Sequence, residues 1–272
     1  MAEEFNYEYS QKAKEEINGR FVLALINICE KLESGGVIAL GAMLLDRAEG
    51  LDNIEEIKTT IKNDRENIRG KLKIEMQVLF NNYSYLYGNS LSNIFYKYLK
   101  SIDWINTPEP RDLNPIIFEM NKRLSLIATE IEIFFNEKPL PKPRRNNKSN
   151  VVFQTVHIME QLLAKKTKIF ANVERNRKEL IMSIMQISLK ALYEEIRRLR
   201  VSKFGYQQIQ IDMRFLRTLL EDVYSIDDDT GLLRGLFYEV VHSARLRCFD
   251  PVDIDETIIE AITDVKLKKI IG

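Results

Sequence analysis

Asp227-Asp228-Asp229-Thr230-Gly231 is the stretch of this 272-residue chain that looks most like a reactive site. Asp-Thr-Gly is the triplet of aspartic proteases, in which two such loops on β-lobes bring carboxylates together to share one proton. One copy is present here, just ahead of the helical Leu232-Leu233, where acidic residues complement the positive end of a helix. A calcium loop of the EF-hand type requires glycine at position six and glutamate at position twelve. Counted from Asp227, glycine falls at five and Tyr238 at twelve, so the spacing fails. His157 and His242 are flanked by apolar residues, with no HExxH and no cysteine cluster, and neither can be paired with a nucleophile. There is no GxxxxGK[ST] and no GxGxxG to cradle a phosphate. Cys29 and Cys248 lie far apart in apolar contexts and read as small buried hydrophobes. We expect no catalytic residue, no metal site and no cofactor.

A different kind of polar chemistry is concentrated in Phe204-Gly205-Tyr206-Gln207-Gln208-Ile209-Gln210-Ile211-Asp212. Three glutamines and a carboxylate alternate with apolar residues between two helical segments. Gly205 reads as a residue just past a helix end, where a positive φ is tolerated. Gln208 and Asp212 are four apart, hence on one helical face. Partly buried, they need partners, and Arg245 or Arg247 near the next helix end could supply them. Roughly one helix later comes Arg247-Cys248-Phe249-Asp250-Pro251.

The elements that must hold these residues are helical. Ile17, Phe21, Leu25, Ile28 and Leu32 recur at helical spacing, and Ser34-Gly35-Gly36 is expected to end that helix. Val37 to Arg47 forms a short second helix. A third, Leu51 to about Phe80, carries the stripe Ile54, Ile57, Ile61, Ile68, Leu72 and Leu79. Tyr83 to Asn89, with Gly88, reads as a break, and Leu91 to Ile105 as a fourth helix carrying Trp104. The aromatic residues Tyr83, Tyr85, Tyr87, Phe95, Tyr96 and Tyr98 are expected to pack with their phenolic tips in water. Asn114-Pro115 caps and starts another helix, running through Ile131 and Phe135. After the break, Val151 to Asn172 and Glu174 to Ser202 form helices. Met185, Leu189, Leu192, Ile196 and Leu199 form the second one's stripe. Ile209, Met213, Leu216, Leu220 and Val223 repeat the rhythm, as do Leu233, Leu236, Phe237, Val240 and Ala244. Asp250-Pro251 interrupts it, and Asp253 with Glu256 resembles a capping box for the last helix. No segment shows sustained alternation of period two, so the fold class is all-α.

Between these helices, residues 138–150 place prolines at alternate positions with no acidic residue, which predicts an extended linker. We therefore expect an N-terminal helical bundle over 1–137, the linker over 138–150 and a C-terminal bundle over 151–272. Lys142, Arg144, Arg145 and Lys148 make the linker a possible interaction segment for RNA, acidic headgroups or an acidic partner. Elsewhere charge is balanced, with 40 basic and 40 acidic residues, so no bulk field recruits nucleic acid or anionic membrane. Two cysteines make no disulfide framework, which fits a reducing compartment. Met1 to Tyr9 is acidic and aromatic, unlike a signal peptide, and the apolar runs are far shorter than the ~20 residues of a membrane helix. A cytosolic location is expected, and the sequons at Asn82 and Asn147 are then chance.

Taken in order, the two motifs resemble the C-terminal region of the vacuolar protein sorting-associated protein 51 family, also called fat-free homologue. The matching positions are Phe204, Gly205, Gln207, Gln208, Ile209, Gln210, Asp212, Arg247, Cys248, Asp250 and Pro251, which in that family mark the fold. The resemblance is strongest from about Leu189 to Ile259, and residues 1–170 match in helical character. It implies tandem helical bundles stacked as a rod and a non-catalytic subunit of vesicle-tethering complexes. Members act in the Golgi-associated retrograde protein complex and its endosomal recycling counterpart. Those complexes capture endosome-derived carriers at the trans-Golgi network and promote fusion with SNARE proteins. The resemblance thus implies other tethering-complex subunits and SNARE proteins as partners, peripheral membrane association through them, and no nucleic acid. Members usually carry a long N-terminal coiled coil through which subunits assemble, and this chain is expected to begin inside the bundle region, either as a fragment or divergent copy or with its first helix taking over some of the assembly. Two alternatives are a subunit of another tether (the exocyst or the conserved oligomeric Golgi complex) and an RNA-binding helical scaffold using the basic linker.

Overall fold

Glycine and proline are sparse in this chain and cluster, which leaves long stretches of good helix formers uninterrupted. A computed structural model describes residues 2–48, 53–135, 176–226 and 231–271. In chain order the helices are α1 (Ala2–Lys31), α2 (Val37–Ala48), α3 (Ile54–Ser101), α4 (Pro115–Phe135), α5 (Arg177–Ile196), α6 (Lys203–Asp222), α7 (Leu232–Leu246) and α8 (Glu256–Ile271). Among the described residues the one extended pairing is a bridge between Val201 and Cys248. The fold is all-α, as the periodicity predicts. It divides into two compact units, Met1–Leu86 and Tyr87–Gly272, with α3 contributing to both.

In the first unit α1 does not stop at Ser34-Gly35-Gly36, contrary to expectation. Leu32–Gly36 forms a single π-helical turn, and the Val37 N–H bonds the Leu32 carbonyl, so α1 runs on into α2. Such bulges widen a helix without breaking it. Glu33 within the turn faces α3, where Arg69 bonds it at 3.0 Å. Leu23, Ile26, Val37, Met76 and Phe80 are buried. The stripe Ile17, Phe21, Ile28 and Leu32 remains exposed, at 45–67 % of full exposure. A neighbouring face of α1 carries the buried Leu23 and Ile26 instead.

In the second unit, α5 packs on α4 and α7, and α6 packs on α4, α7 and α8. Leu180, Ile184, Met185, Leu189, Leu192 and Ile196 of α5 are essentially sealed from solvent, as are Ile209, Phe215, Leu216 and Leu219 of α6. Each such side chain contributes about 1.5–3 kcal/mol through burial. Tyr83 to Asn89 proves to be continuous α-helix rather than a break. At Gly88, α3 lies against α5 so closely that a Cβ would stand 2.7 Å from Cβ and Cγ2 of Ile187. Tyr83, Tyr87, Phe95 and Tyr98 are buried rather than wet at their tips, whereas Tyr85 and Tyr96 are about half exposed. Helix α3 ends at Ser101, so Trp104 lies in the following loop and not in a helix. Asn114 caps α4 as expected, its side chain accepting from the Ile116 N–H at 3.0 Å. Asn176 starts α5 in the same way, accepting from Glu179 N–H at 2.8 Å.

The proposed linker 138–150, with Lys142, Arg144, Arg145 and Lys148, lies outside the described residues, as do the helix expected over Val151 to Asn172, His157 and the Asp227 to Thr230 segment. Helix α4, which precedes that linker, packs on α5 and α6, which follow it. The compact unit therefore continues across it.

Candidate functional site

Ser202 starts α6, its hydroxyl accepting from the Gly205 N–H at 3.2 Å. This cap corrects the expectation for Gly205, which lies inside the first turn of α6 and not beyond a helix end. Positive φ among the described glycines is found at Gly231 instead (φ 69°), immediately before α7. Gly205 is required for a different reason: a Cβ there would sit 2.6 Å from the carbonyl oxygen of Trp104. That carbonyl accepts from the Ser202 N–H at 2.8 Å, tying the 102–114 loop to the start of α6. Trp104 is itself anchored by its indole N–H, which donates to the Leu99 carbonyl at 2.7 Å, and by edge-on contact with Tyr98.

One turn further along α6, the two polar residues on the inner face meet the same loop. Asp212 is completely buried. Its Oδ2 accepts from the Tyr98 hydroxyl at 2.9 Å, and its Oδ1 from the Asn114 N–H at 3.0 Å and the Gln208 amide at 3.1 Å. Gln208 also donates to the Asp112 carbonyl at 3.0 Å. The partners of this pair are thus Tyr98, Asn114 and Asp112 rather than Arg245 or Arg247. Loss of hydration pushes the Asp212 carboxyl up to about 7, although its hydrogen-bond donors favour the ionised form. Burial, and then the neighbouring carboxylate, raises the Tyr98 phenol well above its usual range.

The other face of the motif binds the segment that follows α7. Gln207 donates to the Val252 carbonyl at 3.1 Å. Gln210 donates to Asp253 at 3.0 Å and accepts from the Ile254 N–H at 3.2 Å. Tyr206 donates to the same Asp253 carboxylate at 2.5 Å, and Arg245 pairs with it at 3.1 Å. Asp253 is therefore a hub and not the cap of α8. That role falls to Asp255, which accepts from the Thr257 N–H at 2.9 Å. Arg247 and Cys248 act through their backbone: Val201 N–H bonds the Arg247 carbonyl at 3.2 Å, and Phe249 N–H bonds the Val201 carbonyl at 3.3 Å. Ile209 is buried in the core, Phe204 is half-buried, and Asp250 and Pro251 stand exposed where the chain turns.

The motif residues thus converge on one joint, fastening α3, the 102–114 loop and the 247–254 segment to α6. Sequence reasoning missed the contacts that Tyr98, Trp104, Asp112 and Asn114 make with α6, and the hub role of Asp253. No local spacing signals them, because their contacts with α6 cross about 40 to 110 residues of chain. Chemically the arrangement is a set of matched donors and acceptors, with no nucleophile–base pair among the described residues of the joint. His242 lies parallel to the ring of Tyr238, with centroids 5.6 Å apart. Among the described residues no group of three or more His, Cys, Asp or Glu is placed to hold a metal ion, and no helix is long and apolar enough to cross a membrane.

The chain is 28 % identical to the vacuolar protein sorting-associated protein 51 homolog of Drosophila melanogaster, over 89 % of this chain and 36 % of that protein. It is 26 % identical to the Homo sapiens protein of the same name over 68 % of this chain, and 25 % identical to the Arabidopsis thaliana one over 66 %. Both of those alignments cover 26 % of the relative. The chain spans about a quarter to a third of the length of the curated relatives it matches. Similarity to the fly protein extends well beyond the last quarter of the chain, which corrects the narrower extent expected from the motifs. No protein-family model matches the chain, and no solved structure does.

Proposed function

We propose that this homologue of the vacuolar protein sorting-associated protein 51 family is part of a vesicle-tethering complex subunit, a non-catalytic helical scaffold in endosome-to-trans-Golgi retrograde transport. The observation that carries the reading is the similarity to proteins of that name from fly, human and plant over 66–89 % of the chain. The geometry supports it, because the motif's polar side chains hold helices to one another. Other tethering-complex subunits are the proposed partners, with SNARE proteins engaged in the assembly. Membrane association is peripheral and made through those partners, at the trans-Golgi network and endosomes. A helical scaffold suits this work, since about 1.5 Å of rise per residue gives reach, and several weak contacts become strong when subunits engage together. Depleting the protein should misroute cargo that cycles between endosomes and the Golgi, and re-expression lacking α7 and α8 should fail to restore it. Normal cargo return after complete depletion would refute the reading.

A further inference from the structure

In α1, Ile17, Phe21, Ala24 and Ile28 follow one another in steps of four, three and four, the spacing that keeps a seam of side chains on one side of a helix. All four are exposed, Ile17 at 67 % and Phe21 at 63 %. The opposite side of α1 is the one its own fold uses. There Leu23 and Ile26 are buried, and Glu33 in the π-turn pairs with Arg69 and Lys73 of α3. Beyond the π-turn, α2 is apolar on almost every side, a composition that belongs to a helix covered all round. Yet the buried residues of α2 are Val37, Gly41 and Ala48, while Leu40 is 60 % and Met43 61 % exposed.

From Ile17 to Met43 this face runs about 40 Å, at ~1.5 Å per residue. Its apolar area is on the order of the ~800 Å² that one partner gives to a standard interface, above the ~300–600 Å² of the largest patch on a typical monomer. Charge is spread unevenly along it. Arg20 and Lys31, three helical turns apart, stand exposed on one flank of the seam, and neither is ion-paired among the described residues. Glu30 falls instead on the side of the buried Ile26 and Glu33, four residues after the one and three before the other. At the far end Asp46 and Arg47 are adjacent and offset each other.

We infer that this face docks an amphipathic α-helix of a partner protein, apolar at matching three-and-four spacing and carrying carboxylates along the flank that meets Arg20 and Lys31. The seam selects a helix, because side chains repeating about every 3.5 residues interlock with a second seam of the same period. The flank selects its charge, since two unpaired cations on one edge complement acidic residues there. A second copy of this chain fits poorly. Parallel pairing would set Arg20 beside Arg20 and Lys31 beside Lys31, and antiparallel pairing about the middle of the face would bring the two Lys31 residues together. A bilayer fits poorly too, because a helix lying in the interface keeps a cation-rich face in water, whereas the side of α1 opposite the seam is buried. No part of the trafficking reading enters this assignment, so either can fail without the other.

Fluorescence polarisation of the full chain with a fluorescein-labelled synthetic helix of repeated Glu-Ile-Ala-Ala-Leu-Glu-Gln heptads tests it. The helix is expected to bind, and to bind about tenfold more weakly to the double variant Arg20→Glu, Lys31→Glu, because two flanking pairs turn repulsive. Phe21→Ala removes an exposed side chain from the seam and should weaken binding by about tenfold or more, with an unchanged melting temperature. A helix with lysine in place of each glutamate should bind about tenfold more weakly than the acidic one. No binding, equal binding of the lysine helix, or unchanged affinity in either variant would overturn the inference. So would sedimentation of the chain alone as a dimer that Phe21→Glu dissociates, or binding to phosphatidylserine vesicles and not to the helix.

Discussion

Gly205 and Trp104 approach so closely that the backbone carbonyl of one occupies the space a side chain would need on the other. A Cβ at Gly205 would stand 2.6 Å from that oxygen. The oxygen is held in place by the Ser202 N–H, so it cannot retreat without breaking a hydrogen bond. Gly205→Ala should gain up to about 1 kcal/mol of helix propensity and lose more to overpacking, about 1–3 kcal/mol. The expected net result is a lower denaturation midpoint in urea, and an unchanged or raised midpoint would contradict the contact.

Asp212 should respond very differently to two substitutions. Asp212→Ala strips acceptors from Tyr98, Asn114 and Gln208 at once. Each buried polar group left unmatched costs about 1–3 kcal/mol, so a loss of at least ~3 kcal/mol is expected. Asp212→Asn keeps one acceptor for Asn114 and Gln208, and its new N–H₂ can donate to the Tyr98 oxygen. It should be much milder in thermal denaturation. Equal losses in the two variants would refute the network.

The same residue sets a pH dependence with an unusual sign. Its carboxyl is raised from an ordinary value of 3.8 to about 7, so the folded chain holds the proton more tightly than the unfolded one. Between about pH 4 and 7 the unfolded chain has released a proton that the folded chain retains. The Asp212 contribution to stability therefore falls as pH rises through that window, by up to about 1.4 kcal/mol per unit, and levels off above it. The melting temperature of Asp212→Asn relative to wild type should climb steadily from pH 4.5 to pH 7.5. Parallel curves would show that Asp212 is ionised throughout.

Helical class was legible because apolar residues repeat at helical spacing in almost every segment, and the cap at Asn114 follows rules that act within three residues. The pairing of Gln208 with Asp212 on one face was legible for the same reason. Their partners were not, since Tyr98 and Asn114 lie about 100 residues away and only packing brings them there. Gly205 and Gly88 stood out in the sequence, but a glycine needed for close approach looks the same as one that ends or breaks a helix. The stripe from Ile17 to Leu32 shows the matching limit: periodicity identifies an apolar face without saying whether the chain itself covers it.

Gly88 and Ile187 should be energetically coupled, because the missing Cβ of one is filled by the branched side chain of the other. Gly88→Ala alone should destabilise by about 1–3 kcal/mol. Combined with Ile187→Ala, which opens the space, the losses should fall short of their sum by at least ~0.5 kcal/mol in a double-mutant cycle. Simple additivity would mean that the helices separate readily at this crossing.

Limited trypsin digestion should cut first after Arg144, Arg145 or Lys148, given the basic, proline-alternating composition of 138–150. The nicked chain should still elute as one species in gel filtration, because α4 on one side of the cut packs on α5 and α6 on the other. Separation of the fragments without denaturant would contradict that packing.

The central claim, that this chain works by holding tethering subunits together, is most directly tested by purifying the tagged native protein and identifying the chains that accompany it. The account expects other subunits of a single tethering complex, recovered in near-stoichiometric amounts, and loss of those chains from the Asp212→Ala preparation but not from the Asp212→Asn one. Recovery of RNA-processing factors in their place, or of the protein alone, would contradict it.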